Sequence, residues 1–306
     1  MIRKHTRRAA KAAFAISLGV AIVIGLFAGS ARPATKTTTI VIGTKNFPEE
    51  YILGELYGQA LKAKGFKVED KGNLGSSELA DTALTSGKIN MYPEYTGVIV
   101  LDLAHKAAPK TAAATVVAAR KFEESRGFTV LNPTPFFDAD TVSVLKSTAQ
   151  KYGLKTISDL SKFKGTFRFA GYPECDKRIT CLLGLKQIYG LKNLGFVQIG
   201  TIPVTTLLDQ HKADGGDIFS TQPELASGKY TVLTDTKHIF GFQNVVPVVS
   251  KQLVTQLGSK FTSTLNAVSA KLTIPAMIAM NKAVAIDKKS PQAVAAAFLK
   301  ANGLLK

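Results

Sequence analysis

Short β-branched runs and longer amphipathic segments alternate along the first part of the chain. Residues 39–43 form an apolar run that ends at glycine, which is typical of a buried strand. Apolar side chains then recur with the 3.6-residue period of a helix over residues 52–61. A second strand is predicted over residues 66–69, and a third strand is predicted to end at Pro93 because proline has no N–H for a sheet ladder. This alternation predicts a mainly parallel sheet with helices on both faces.

Two irregular stretches divide the chain. Residues 132–135 interrupt the first series of strands and helices, and residues 232–249 follow a second series. We interpret both stretches as crossings between two lobes, with residues 38–136 and 245–306 in the first lobe and residues 137–244 in the second. The predicted fold class is therefore α/β, with a cleft between two lobes. Small-molecule sites often occur at such interfaces, and hinge closure around a ligand is a recurring motion.

The N-terminus has the composition of a secretory signal. Five basic residues within residues 1–11 precede an apolar run over residues 12–28, and small residues follow. We expect residues 1–31 to be a signal peptide that is cleaved near Ala31 and sends the chain to the periplasm or the outer face of the cell membrane. The alternative is an uncleaved anchor, since the run approaches the ~18–20 residues that span a bilayer. General secretory and twin-arginine export both stay open.

The charge of the chain is strongly basic. The net charge is +17, from 39 lysines and arginines against 22 acidic residues, and removal of the five basic residues of the predicted signal leaves 34 − 22 = +12. A basic chain can bind nucleic acid or an anionic membrane. These lysines are scattered among helices and turns, however, and do not form a stripe. We interpret them as a solvated surface and expect no nucleic-acid partner.

The only cysteines in the sequence are Cys175 and Cys181. In an exported protein this spacing suits a disulfide that closes a small loop, and two free thiols are the alternative. A metal site would need further ligands nearby. The four histidines of the chain do not supply them, so no metal is expected.

Signatures of catalysis are missing from the sequence. There is no Gly-x-Ser-x-Gly, His-Glu-x-x-His, Walker or Gly-x-Gly-x-x-Gly motif, and no histidine has a nearby nucleophile. Binding candidates are present, because aromatic and short polar residues recur at strand ends that face the predicted cleft. Residues 91–97 place two tyrosines, a carboxylate and a hydroxyl at the carboxyl end of a strand. That edge is where open α/β sheets bind ligands.

Six segments occur in an order that resembles a known family. They are residues 42–57, 73–75, 92–97, 152–160, 184–190 and 291–299. The family is that of the substrate-binding proteins of glycine betaine/choline (osmoprotectant, quaternary amine) ABC transporters, and the resemblance covers essentially the whole chain after the predicted signal. It implies the two-lobed class II periplasmic-binding-protein fold with a central ligand cleft and two crossovers. It also implies a tyrosine cage around a quaternary amine, with lysine, arginine and threonine groups that hold a carboxylate.

Three positions match binding residues of that family. Lys45 matches its early lysine, Tyr95 a cage tyrosine of the Tyr-Thr-Gly-Thr motif, and Arg178 its arginine. Polar and aromatic residues at the other strand ends complete the prediction. The predicted ligand contacts are Lys45, Asn46, Tyr95, Thr96, Asp140, Arg178, Phe219, Thr221, Phe242 and Gln243.

Other positions depart from the family pattern. Val98 stands where the motif has its second threonine, and residues 138–140 (Asp-Ala-Asp) stand where Asn-Thr-Tyr is common. Phe219 and Phe242 replace late cage tyrosines. A cage with one tyrosine and an added carboxylate differs from the usual betaine site, and Asp140 suits a cation or a hydroxylated ligand.

The predicted function is therefore that of an exported solute-binding protein of an ABC importer. It would bind a glycine betaine/choline-type osmoprotectant, close, and deliver it to the permease subunits, as a monomer and without a cofactor. The alternatives are the same role for another polar or hydroxylated small molecule, or an exported enzyme on the same fold.

Overall fold

The structure is a computed structural model that describes residues 38–305, and the predicted signal peptide lies outside them. The strands are β1 (Thr39–Gly43), β2 (Lys67–Lys71), β3 (Met91–Tyr95), β4 (Phe128–Val130), β5 (Val142–Leu145), β6 (Phe167–Gly171), β7 (Leu194–Gln198), β8 (Gly215–Asp217), β9 (Tyr230–Leu233) and β10 (Val245–Ser250). The helices are α1 (Pro48–Ala63), α2 (Ser77–Thr85), α3 (Thr96–Val98), α4 (Ala112–Ser125), α5 (Lys146–Tyr152), α6 (Leu182–Gln187), α7 (Val204–Asp209), α8 (Lys251–Ser269), α9 (Ile274–Ala285) and α10 (Pro291–Ala301). None of these helices combines the length and the apolar character that a membrane span requires.

The strands form two five-stranded sheets of the same design. The first sheet has the order β2-β1-β3-β10-β4, and the second has the order β7-β6-β8-β5-β9. In each sheet three neighbouring strands are parallel, and the fourth runs antiparallel to both of its neighbours. That antiparallel strand is β10 in the first sheet and β5 in the second. Each is the first strand after the chain passes from one sheet to the other, so the two predicted crossings are visible in the topology.

Each sheet has an apolar cluster on both of its faces. In β1, Ile40 and Ile42 pack in a cluster with Leu53 and Leu56 of α1, whereas Val41 packs against a separate cluster on the opposite face. Full burial of a side chain of this size stabilises the fold by roughly 1.5–3 kcal/mol. The second sheet likewise separates two further apolar clusters.

The predicted end of the third strand at Pro93 is wrong. β3 continues to Tyr95, and Pro93 lies directly opposite Pro247 of the antiparallel strand β10. In an antiparallel ladder, opposing residues alternate between pairs that exchange N–H···O bonds and pairs that do not. A proline pair is compatible only with the second type, so no N–H···O bond between β3 and β10 is lost at this position. The strand therefore carries Tyr95 further toward the cleft than expected.

Three other elements differ from the sequence prediction. The sequence of residues 152–160 predicts the capped start of a helix, and the structure has a 3₁₀ helix there, Ile157–Lys162, whose capping box is formed by Thr156 and Asp159. Helix α5 was not predicted from the sequence. Helix α8 is broken at Gly258, which has φ 69° and ψ −161° inside the helical run. Glycine adopts positive φ without the steric cost that other residues incur, so it marks the kink.

Candidate functional site

The carboxyl ends of parallel strands from both sheets supply the side chains of the cleft. Lys45 follows β1 and Tyr95 ends β3 in the first sheet. In the second sheet Tyr172 follows β6 and Phe219 follows β8. This is the edge at which open α/β sheets bind ligands.

Two adjoining cavities open between these strand ends. The smaller one, called the small pocket below, has a volume of about 40 Å³, and the larger one, called the large cavity, has a volume of about 540 Å³. They share Phe47, Asp138 and Phe219. The small pocket is lined by Lys45, Phe47, Ser76, Ser77, Tyr95, Val98, Asp138, Asp140, Glu174, Arg178, Phe219 and Gln243. It has room for about three water molecules, so an organic ligand enters only if the surrounding bridges open.

Lys45 is buried in an ionic cluster of the first lobe. Its Nζ lies 3.2 Å from Glu50 Oε1 and 2.5 Å from Glu94 Oε1, and 4.3 Å from the centroid of the Tyr95 ring. Burial raises the pKa of Glu50 to about 8, because it outweighs the opposing charge of Lys45 and because Glu94 adds like charge. Two carboxyl groups thus surround one ammonium group. The charge of Lys45 is balanced inside the protein and is not free for a ligand.

Arg178 is also paired, in this case across the cleft. Its Nε and Nη2 donate to the two carboxylate oxygens of Glu78 at 3.0 Å each. Glu78 lies on α2 beside the first sheet, whereas Arg178 lies in the loop after β6. Burial opposes ionisation of Glu78. The hydrogen bonds and the charge of Arg178 outweigh this effect, so the pKa of Glu78 is lowered to about 2. The pair is therefore fully ionised and forms a bidentate bridge between the lobes.

The predicted disulfide between Cys175 and Cys181 is present and holds this loop. A second bridge leaves the same loop, because the hydroxyl of Thr180 donates to Asp102 Oδ2 at 2.8 Å. Asp102 belongs to a single π-helical turn, Ile99–Leu103, that continues α3. The closed loop therefore presents two contacts to the first lobe.

Glu49 forms a third bridge, in which Tyr95 takes part. Its Oε1 accepts a hydrogen bond from Tyr95 Oη at 2.9 Å, and its Oε2 accepts from Thr221 Oγ1 at 2.6 Å and from Asn281 Nδ2 at 2.8 Å. Thr221 follows the second-sheet strand β8, whereas Tyr95 and Asn281 belong to the first lobe. Burial raises the pKa of Glu49, although all three hydrogen bonds oppose that rise.

Four aromatic rings form a row along the cleft. The Tyr95 and Phe47 centroids are 6.4 Å apart, Phe47 and Phe219 are 5.3 Å apart, and Phe219 and Tyr172 are 5.9 Å apart with nearly parallel planes. Rings at these separations present both faces and edges to the cavities. Aromatic faces attract cations through their quadrupole.

Three aspartates of the second lobe make the cleft acidic. Burial raises the pKa of Asp140 to about 7, opposed by the charge of Arg178. Burial also raises the pKa values of Asp138 and Asp217 well above the ordinary value, with further contributions from Glu49 and Asp140 respectively. A cation in the cleft would stabilise the ionised forms of all three.

The structure places most of the predicted ligand contacts at these cavities. The small pocket contains Lys45, Tyr95, Asp140, Arg178, Phe219 and Gln243, and the large cavity contains Asn46, Phe219 and Thr221. The side chain of Gln243, however, is held by the backbone, since its Oε1 accepts from Val98 N at 3.1 Å and its Nε2 donates to Phe240 O at 2.8 Å.

Two predicted contacts, Thr96 and Phe242, line neither cavity. The Thr96 hydroxyl donates to the carbonyl oxygen of Phe242 at 2.9 Å, so it ties the return crossing to β3. The Phe242 side chain is 39% exposed. A structural role for Thr96 explains its position next to Tyr95 without a ligand.

Several cleft residues were not in the predicted set. Phe47, Glu49, Asp138, Tyr172 and Asn281 all line a cavity. Phe47 directly follows the predicted contacts Lys45 and Asn46, and Asp138 begins the Asp-Ala-Asp stretch that departs from the family pattern. Glu49 is one of two acidic residues in the first turn of α1, where the helix dipole alone accounts for a carboxylate, and nothing in the sequence connects Asn281, near the C-terminus, to a cleft.

Comparison with known proteins agrees with this architecture. Residues 38–301 match the family described as the substrate binding domain of ABC-type glycine betaine transport system. The chain is 31% identical over 292 residues to a glycine-betaine-binding protein of Pseudomonas aeruginosa, covering 92% of each chain. It is 26% identical to the glycine betaine-binding protein YehZ of Escherichia coli, over 92% of this chain and 96% of that protein. A solved structure of a glycine betaine/carnitine/choline ABC transporter protein matches with a TM-score of 0.69 at 25% identity, covering 87% of this chain and 100% of that one.

A pair of α/β sheets with two crossovers and a cleft at their strand ends defines an extracytoplasmic solute-binding protein. The chain belongs to the family of substrate-binding domains of ABC-type glycine betaine transport systems. It is thus a substrate-binding protein of the glycine betaine/choline type, from a family of solute-binding proteins that work with ABC permeases.

Proposed function

We propose that this chain binds a quaternary-ammonium cation of the choline type in preference to a carboxylate-bearing betaine. One observation carries the proposal: both basic side chains of the small pocket already have carboxylate partners. Lys45 is paired with Glu50 and Glu94, and Arg178 is paired with Glu78. A betaine carboxylate entering this pocket would have to displace one of these internal partners.

The remaining charges of the pocket favour a positive ligand. Asp138, Asp140 and Glu174 line it together with the rings of Phe47, Tyr95 and Phe219. A cation against an aromatic face gains ~0.5–2 kcal/mol, and more when water is excluded. The carboxylates add attraction at short range in a medium less polar than water. We propose that the trimethylammonium group lies against the row of aromatic rings, where Phe47 and Phe219 meet.

The three bridges between the lobes support a closing and opening cycle. Arg178–Glu78, Thr180–Asp102 and Thr221–Glu49 each join a second-lobe residue to a first-lobe residue. We place the lobes at residues 38–136 with 245–306 and at residues 137–244, and propose that the bridges open to admit the ligand. The closed monomer then presents the unaltered ligand to the permease, after export directed by residues 1–31 and cleavage near Ala31.

Isothermal titration calorimetry with choline, glycine betaine and a polyol tests the ligand. We expect choline to bind at least tenfold more tightly than glycine betaine, and Tyr95→Ala to abolish choline binding. Tighter binding of glycine betaine would contradict the preference and would indicate that Arg178 exchanges Glu78 for the ligand. Binding of the polyol alone would favour the alternative of a hydroxylated, uncharged solute. Conversion of any of these compounds by the purified protein would contradict a purely transporting role.

A further inference from the structure

The large cavity differs from the small pocket in its charge. Glu49, Asp138, Asp217 and Glu224 line it, and no lysine, arginine or histidine among the described residues does so. The first turn of α1 also reaches the cavity, but its partial positive charge is offset by Glu49 in that turn. The cavity therefore favours a cation.

Asn281 presents an unused acceptor to this cavity. Its Nδ2 donates to Glu49 Oε2 at 2.8 Å and to the carbonyl oxygen of Thr221 at 3.3 Å, and because a carbonyl oxygen can only accept, the second bond fixes which way the amide faces. The amide oxygen on the other side has no partner among the described residues, although Asn281 is only 5% exposed. Buried acceptors are usually hydrogen-bonded, so this oxygen points to a donor from a ligand.

Two carboxyl groups of the same cavity also have a buried oxygen atom without a hydrogen-bond partner among residues 38–305. Asp217 Oδ1 and Glu224 Oε2 are buried and have no hydrogen-bond partner in the described part of the chain, and Asp217 is 6% exposed overall. The cavity thus combines three unused oxygen acceptors with four carboxyl groups and no basic side chain among the described residues, and a cation bound there would favour the ionised forms of these carboxyl groups. A quaternary ammonium group carries no N–H and cannot satisfy any of them, whereas a protonated primary amine has three donors.

The walls between these acceptors suit an alkyl chain. Tyr172 and Phe219 stack at 5.9 Å along one side, and Ile202, Pro203 and Pro223 add apolar surface. The volume of about 540 Å³ lies within the range of small-molecule sites, which is ~300–1,000 Å³.

We propose that the large cavity is a second binding site that takes a small alkylamine through its protonated, N–H-bearing nitrogen. Asp217, Glu224 and Asn281 accept its hydrogen bonds, and the aromatic and proline walls pack its methylene groups. This inference goes beyond the proposed choline function, because it assigns a different chemical class to a different part of the cleft.

A matched ligand pair tests the role of the N–H donors. Putrescine and its fully N-methylated analogue have the same charge and the same carbon chain, but only putrescine has N–H groups. Calorimetry on the purified protein with saturating choline, which keeps the methylated analogue out of the small pocket, should give putrescine binding at least tenfold tighter than binding of the methylated analogue. Equal or tighter binding of the methylated analogue, or no binding of putrescine at 10 mM, would overturn the proposal.

Two variants separate this site from the choline site. Glu224→Gln should weaken putrescine binding at least tenfold and leave choline binding within twofold. Glu174→Gln, which removes the same charge from the small pocket only, should leave putrescine binding within twofold. Equal weakening of putrescine by both variants would contradict a localised site. If the wild-type protein binds putrescine but does not bind choline, the result would count against the proposed choline function and not against this second site.

Discussion

Lys45 brings a positive charge into a fully enclosed part of the first lobe, where its two carboxylate partners are themselves buried. The side chain is 2% exposed, and Glu50 and Glu94 are both at 0%. Removing ions from water is costly, and such clusters persist only when each charge has a partner. Lys45 therefore acts first as the counter-ion that lets the strand ends of β1 and β3 approach each other beneath the ligand cleft.

Substitution of this lysine should destabilise the protein. Lys45→Met leaves two buried carboxyl groups without a cation, so the free energy of unfolding should fall by about 3 kcal/mol. Urea denaturation followed by circular dichroism measures this change. Lys88→Met removes an exposed lysine and should shift stability by less than about 0.5 kcal/mol. An equal effect of the two substitutions would show that the ionic cluster adds nothing to stability.

For individual residues, the sequence predicted which side chains line the cleft better than it predicted which side chains they pair with. Lys45, Tyr95, Asp140 and Arg178 were placed at a cleft because they follow strand ends or match a family motif, and all four line the small pocket. The partner of Arg178, Glu78, is 100 residues away in the sequence. Its position in the first turn of α2 suggests only a favourable interaction with the helix dipole. Long-range pairing depends on how the lobes meet, which no local pattern encodes.

The loop between Cys175 and Cys181 is the element that carries two of the bridges between lobes. It contains Arg178 and Thr180, and Cys181 immediately precedes α6. Closing a short loop removes conformations from the unfolded chain and also restricts the folded loop. Gly184 in α6 allows the loop to pack closely against the helix, because a Cβ there would come within 2.0 Å of the carbonyl oxygen of Ile179. The backbone around Arg178 and Thr180 is thus constrained by the disulfide and by close packing against α6.

Removal of the disulfide should affect both stability and binding. Replacing Cys175 and Cys181 together by serine should lower the free energy of unfolding by about 2 kcal/mol, the value expected for so short a loop. Choline affinity should fall several-fold, since Arg178 and Thr180 lose their fixed positions. The wild type treated with a reductant serves as a matched control and should behave like the double variant. Unchanged affinity in both samples would separate the disulfide from closure.

The elements themselves were largely predictable because they depend on local periodicity. β1 and α1 fall close to their predicted positions, since apolar spacing is a local signal. The end of β3 could not be predicted from local sequence. The strand continues past Pro93 because that residue lies opposite Pro247, which belongs to a distant part of the chain. Helix α5 is short and has one buried residue, so its periodicity gives little signal.

On the scale of the whole molecule, a basic protein encloses an acidic cleft. The chain after the predicted signal has a net charge of +12 (34 − 22), yet carboxylates outnumber basic side chains around both cavities. The two-lobed class was predictable from the order of strands and the two irregular crossings. The excess of carboxyl groups in the cleft could not be predicted in the same way. It depends on which charged side chains pair with each other when the two lobes meet.

The bridge between Arg178 and Glu78 should control which ligand the cleft accepts. Glu78→Gln frees the Arg178 guanidinium to hold a carboxylate, so glycine betaine affinity should rise about tenfold, the value of one charge-assisted hydrogen bond. Choline affinity should change by less than threefold. Calorimetry with both ligands measures the switch, and Arg178→Gln, which removes the cation, should show no gain for glycine betaine. A parallel gain in both variants would mean that Arg178 does not select the ligand.

Cation binding should also depend on pH, through the carboxyl groups that surround the small pocket. Burial raises the pKa of Asp140 in the free protein to about 7; Asp102 and Glu174 add to this rise, whereas Arg178 and a hydrogen bond to Asp217 oppose it. A bound cation favours the ionised form and so lowers the pKa of Asp140 in the complex. Binding below pH 7 must then release a proton.

Choline affinity should therefore be greatest above pH 7 and fall as the pH drops below the pKa of the free protein. Between pH 8 and pH 6 the dissociation constant should rise about tenfold, because each unit of pKa difference corresponds to ~1.4 kcal/mol. Glu78, with a pKa of about 2, stays ionised throughout and does not contribute. Calorimetry in two buffers of different ionisation enthalpy counts the released protons directly. Asp140→Asn should flatten the profile, and an unchanged profile in that variant would assign the titration to Asp138 or Asp217 instead.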